Sequence, residues 1–131
     1  TGRKRRCGWF DSVLVRQAVS LSSIKGIALT KLDVLDGFEQ IKICTGYSLN
    51  GKIINYLPSA EKQQQQIKPI YEVIKGWKKS VVGVKNFYDL PKAAKIYLRR
   101  IEDLISCPVV LISTSPERSD TIYIKNPFDP I

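Results

Sequence analysis

The sequence predicts an α/β fold: a mostly parallel sheet with flanking helices and a β-hairpin. Three observations carry this expectation. Residues 27–32 and Val109–Ser113 begin as continuous apolar runs, the mark of strands covered on both faces. Each run follows a stretch with apolar residues at helical spacing, so helix and strand alternate along the chain. Between these pairs, Asn50-Gly51 separates two segments of alternating polarity, the strongest short-range signal for a hairpin.

In order along the chain, residues 1–8 are basic, contain glycine and show no apolar period, which predicts a mobile loop. Asp11 or Ser12 can cap a helix over residues 13–22, with Leu14, Val15, Ala18, Val19 and Leu21 on its apolar stripe. Lys25-Gly26 ends it, residues 27–32 form a buried strand, and 33–37 a turn. Residues 40–47 and 52–56 are the two arms of the hairpin. The glutamines 63–66 read as an exposed turn or helix end. Residues 67–77, interrupted by Pro69 and Gly76, read as irregular or short-strand territory. Pro91 suits the first position of a helix capped near Asp89, with Ala94, Tyr97, Leu98, Ile101, Leu104 and Ile105 facing inward. Pro108 stops that helix, Val109–Ser113 is a buried strand, and residues 120–125 an edge strand.

The chain has 131 residues, 44% hydrophobic and 25% charged, which suits one folded unit with a real core. No apolar run approaches the ~20 residues that span a bilayer, so neither a membrane nor a secretory signal is expected. Cys7, Cys44 and Cys107 lie far apart without metal-ligand spacing, as reduced and mostly buried thiols would. There is no methionine and the sequence starts at Thr1, from which we expect a piece of a longer polypeptide. The absence of histidine removes the commonest general base and metal ligand. A self-contained active site is therefore not expected. The net charge of +9 points to anionic partners such as nucleotides, and four of the positive charges sit at Arg3, Lys4, Arg5 and Arg6.

The segment Thr30-Lys31-Leu32-Asp33 is the sharpest chemical signal. A lysine and an aspartate flanking one residue, where a strand enters a turn, can grip guanine. The carboxylate accepts two hydrogen bonds, from N1–H and the 2-amino group, while the lysine stem lies along the ring. Adenine lacks that pair of donors and would leave a buried carboxylate unpaired, which discriminates strongly. Asp36 is not read as the second half of a carboxylate pair; with Gly37 it forms a turn. Trp9 and Trp77 are read as packing groups.

The words TGRKRRCGWFD, IALTKLDVLDGFEQIKICTGY, PIYEVIKGW and ISTSPERSDTI, in this order and spacing, resemble the C-terminal part of the adenylosuccinate synthetase family. The resemblance covers essentially the whole chain. It implies the C-terminal part of a P-loop-NTPase-like sheet, and an enzyme that forms adenylosuccinate from IMP, L-aspartate and GTP in AMP biosynthesis. GTP would phosphorylate the 6-oxygen of IMP and the aspartate amine would displace the phosphate, with Mg2+ at the phosphates. The family's phosphate loop, catalytic aspartate and catalytic histidine lie near its N-terminus. These 131 residues are accordingly expected not to catalyse alone, and no catalytic or metal-binding residue is assigned to them.

The resemblance further divides the chain into residues 1–8, the end of a mobile substrate loop; 27–37, a guanine-binding segment; and 109–115, a second guanine-contacting segment. It gives Thr1, Gly2, Arg3 and Arg5 to aspartate and IMP, with Arg5 also reaching GTP. Guanidinium forks suit carboxylates and phosphates, and glycine lets a loop close. Lys31, Leu32 and Asp33 match the guanine site, although Thr30 stands where small GTPases have asparagine. Ser113, Thr114 and Ser115 would let backbone N–H groups approach the guanine 6-oxygen; Ser115 stands where many members have glycine. The intact enzyme is expected to be a cytoplasmic homodimer. The competing expectations are a basic nucleic-acid-binding module, which the charge suggests but no aromatic, helix-turn-helix or zinc motif supports, and a non-catalytic GTP-binding adaptor.

Overall fold

The computed structural model describes Gly2, Lys4 and residues 6–125 of the chain. A two-residue strand, β1 (Phe10–Asp11), leads straight into helix α1 (Ser12–Leu21). Asp11 is the cap: its Oδ1 accepts from Val13 N at 3.0 Å and Leu14 N at 3.1 Å, satisfying two of the orphan donors of the first turn. Its other oxygen accepts a hydrogen bond from the Tyr47 hydroxyl at 2.5 Å, which ties the start of the helix to the sheet. Burial and this bond push the Tyr47 hydroxyl pKa well above its ordinary value. The expected stripe is only partly used. Val15 and Val19 pack against the core, whereas Leu14 and Leu21 are exposed.

After β2 (Ile27–Leu29) come a 3-10 turn (Leu32–Leu35), β3 (Gln40–Leu49), β4 (Lys52–Ile54) and the short exposed helix α2 (Glu61–Gln64). Asn50 and Gly51 both have positive φ, 51° and 78°, and Leu49 pairs Lys52, as the hairpin expectation required. Residues 67–77 correct the sequence reading. Lys68–Lys75 is an eight-residue strand, β5, paired antiparallel along β3 with one irregularity between Cys44 and Gly46. Pro69 is tolerated because β5 lies at the sheet edge, beside β3 alone.

Helix α3 (Lys92–Ile105) turns Ala94, Tyr97, Leu98, Ile101 and Ile105 into the core, with Leu104 half-buried. Its cap differs from expectation: Pro91 itself is the N-cap, and Asp89 instead ends a separate 3-10 turn (Phe87–Asp89) whose cap is Asn86. A left-handed Ser106 closes the helix, and β6 (Val109–Ser113) and β7 (Thr121–Tyr123) follow.

The α/β class holds, with mixed pairing in two sheets. β1 pairs parallel with β3, which also pairs antiparallel with β4 and β5; in the smaller sheet β2 and β7 flank β6, parallel and antiparallel respectively. One main core of Leu32, Ile41, Ile43, Trp77, the inner face of α3 and the β6 side chains joins the two sheets. Cys44 and Cys107 are buried and Cys7 is exposed. Among the described residues no helix is long and apolar enough to cross a membrane.

Candidate functional site

The chain leaves β2 at Leu29 and bends sharply at Lys31, which adopts the left-handed conformation (φ 60°, ψ 43°). For a side chain with a Cβ this costs about 1 kcal/mol, so something must hold it. The Lys31 N–H donates to Ser113 Oγ at 3.0 Å, at the end of the neighbouring parallel strand β6. The bend sends the Leu32 side chain into the core, where it is 1% exposed. It leaves Asp33 on the rim of a cleft of about 570 Å³, a volume ordinary for a small-molecule pocket.

Lys31, Asp33 and Val34 form one wall of this cleft, and Ser113, Ser115 and residues 116–118 the other. The parallel pairing of β2 with β6 is what brings residues 31–33 to residues 113–115, more than eighty positions away. Asp33 Oδ1 is buried and has no hydrogen-bond partner among the described residues. Buried polar oxygens are nearly always paired, because each unpaired one costs roughly 1–3 kcal/mol. The oxygen belongs to a residue that lines the cleft, and the fold itself gives it no donor among the described residues.

The second wall is built differently. Thr114 is fully buried and turned away from the cleft, its hydroxyl within reach of Val84 O (2.9 Å) and Asp120 O (3.1 Å). Its N–H donates to Asp120 O at 3.1 Å. Leu32 and Thr114 were both expected at the ligand; their side chains belong to the core, and the Thr114 N–H is already engaged. Ser115 Oγ donates to Asp120 Oδ2 (2.8 Å) and accepts from Glu117 N (2.9 Å), curling the chain so that residues 116–118 close the wall. Sequence reasoning missed Asp120 as part of this arrangement and took it for the start of an edge strand. The only signal was its position five residues after Ser115.

Asp36, three residues beyond Asp33, is engaged on both oxygens. Oδ1 accepts from Trp77 Nε1 at 2.7 Å, and Oδ2 from Ser80 Oγ at 2.7 Å and Val81 N at 2.9 Å. This bears out its reading as a turn residue. Trp77 is buried and tilted against Tyr97, and Trp9 meets Phe38 edge-on, so both indoles pack.

Of the basic loop, Gly2 takes φ +63° with open space around it, as a loop glycine suits. The expected roles of Thr1, Arg3 and Arg5 lie outside the described residues. Among the described residues no three His, Cys, Asp or Glu side chains gather into a metal site.

Two comparisons bear on the cleft. The family model for adenylosuccinate synthetase matches residues 1–122. The chain is also similar to the structure of a fully ligated adenylosuccinate synthetase from Plasmodium falciparum, at 35% identity and a TM-score of 0.89. That match covers 94% of this chain and 30% of the other, so the chain spans about a third of that relative's length.

Proposed function

The chain belongs to the adenylosuccinate synthetase family, and from that premise we propose that it forms the guanine-recognising part of a GTP-dependent ligase. That ligase joins IMP and L-aspartate into adenylosuccinate, in AMP biosynthesis. The single observation that carries the proposal for this cleft is the buried, partnerless Oδ1 of Asp33. Guanine offers N1–H and the 2-amino group in line, and a carboxylate takes both at once. Lys31, whose backbone N–H is bonded to Ser113 Oγ, lines the same space.

In the reaction so read, the γ-phosphoryl group passes from GTP to the 6-oxygen of IMP and GDP leaves. The aspartate amine then attacks C6 and phosphate departs. On this chain Asp33, Lys31 and the second wall hold the base, which places the triphosphate. Thr1, Gly2, Arg3 and Arg5 are proposed to meet aspartate and IMP, and Arg5 also GTP. Phosphate-loop and proton-transfer chemistry is assigned to residues other than these, so the chain by itself is proposed to be inactive. Magnesium would act at the phosphates, and the described residues do not fit a site for it. The intact protein is proposed to be a cytoplasmic homodimer.

The test is Asp33→Asn in the full-length protein. An amide offers a donor where the 2-amino group needs an acceptor, and pairs instead with the 2-oxygen of xanthine. We expect kcat/KM for GTP to fall by about a hundred-fold or more, with xanthosine triphosphate becoming the better substrate. Unchanged use of GTP would overturn the assignment.

A further inference from the structure

We propose that residues 80–85 are a brace that sets the separation of the two cleft walls, and that Asp120 is a positioning residue for nucleotide binding. The inference rests on reading the cleft as the guanine site. Neither Asp120 nor residues 80–85 line the cleft. Both walls are nevertheless tied to this one segment.

At its start, Ser80 Oγ and Val81 N donate to Asp36 Oδ2, at the end of the turn that carries Asp33. Val84 N donates back to Val81 O at 3.1 Å, and Gly83 takes φ +76°, so the segment makes a tight turn pinned by the fully buried Val81. At its end, Val84 O accepts from the Thr114 hydroxyl. Lys85 Nζ lies 3.6 Å from Asp120 Oδ1. Asp120 in turn holds the second wall twice, its backbone carbonyl accepting from Thr114 N and its Oδ2 from Ser115 Oγ. Its side chain is 17% exposed, so the carboxylate's bond to Ser115 is largely shielded from water.

The physical consequence is pre-organisation. Asp33 can meet one edge of a base and the second wall another only if the gap between them is fixed. An error of 1 Å in such a gap costs on the order of a hundred-fold in a well-fitted site. The brace fixes it with side chains that never touch the ligand. A loosened brace should then weaken nucleotide binding and leave the other two substrates unaffected.

The experiment uses the full-length protein, with KM measured separately for GTP, IMP and aspartate. Asp120→Asn keeps the shape, removes the charge facing Lys85 and weakens the acceptor for Ser115. It should raise KM for GTP about ten-fold, leaving those for IMP and aspartate within about two-fold. Thr114→Val keeps the volume and deletes the hydroxyl bridge to Val84; it should give the same pattern at about three-fold, and decides the matter if Asp120→Asn does not fold. A merely structural role would move all three KM values together with the melting temperature, and that result overturns the proposal. So does an unchanged KM for GTP. If Asp33→Asn also leaves GTP use intact, the guanine reading itself has failed and takes the brace with it. If Asp33→Asn abolishes GTP use while neither brace variant has an effect, the brace alone is wrong.

Discussion

Asp33 and Asp36 lie three residues apart in and just past one 3-10 turn, yet the fold treats them in opposite ways. Asp36 accepts three hydrogen bonds and ties the turn to residues 77–81. Asp33 keeps a buried oxygen with no partner among the described residues. A carboxylate satisfied from within serves the fold. One left unsatisfied beside a cleft gives the fold nothing in return, and on the proposed reading it serves the base. On the proposed reading the two side chains separate stability from function within one turn.

The strongest way to test the Asp36 side is Gly76→Ala. A Cβ at Gly76 would stand 2.0 Å from the Phe38 carbonyl oxygen and 2.9 Å from its carbon. Main chain cannot yield as a side-chain tip can. The Gly76 N–H bond to Glu39 O, at 2.9 Å, would be forced apart. We expect a loss of about 4 kcal/mol or more, read by chemical denaturation.

Asp36→Ala should cost about 3 kcal/mol, because it strands the Trp77 indole N–H and the Val81 N–H in partly buried surroundings. Asp33→Asn, measured the same way, should change stability by no more than about 0.5 kcal/mol, since it removes no hydrogen bond from the buried Oδ1. Equal losses in the two variants would erase the distinction between them.

The smallest effect is a pH dependence away from the cleft. Arg100 grips Glu72 with two bonds, 2.9 Å and 2.7 Å, joining α3 to β5. These hydrogen bonds hold the Glu72 carboxyl below its ordinary 4.5. With the folded value depressed, the pair's contribution is present above about pH 4.5 and is lost as pH falls through the lower folded value. Acid titration of stability should show this loss in the native sequence. It should be absent in Arg100→Leu, and because the pair is partly exposed, the difference should be small.

Much of this was legible beforehand where the signal is local. Asn50-Gly51 demanded the hairpin, the cap of α1 was narrowed to Asp11 or Ser12, and helical spacing named the inner face of α3, of which Leu104 alone is only half-buried. The long strand β5 was hidden, because Pro69 and Gly76 read as interruptions while one sits on an edge strand and the other at a close backbone approach. Leu14 and Leu21 fitted the apolar stripe of α1 and ended exposed, since spacing tells which residues share a face and not how wide a surface will meet it.

The sequence by itself determined the chemistry available: a lysine and an aspartate at a strand end, small residues at another, no histidine, and the family to which the order of its words belongs. Tertiary structure alone decided how that chemistry is used. It set Asp33 apart from Asp36, turned Leu32 and Thr114 inward, and tied Thr114 to Val84 and Ser115 to Asp120. The reason is physical. Which carboxylate finds donors depends on groups forty or more positions away, and only the fold brings Trp77, Ser80 and Val81 within 3 Å of Asp36.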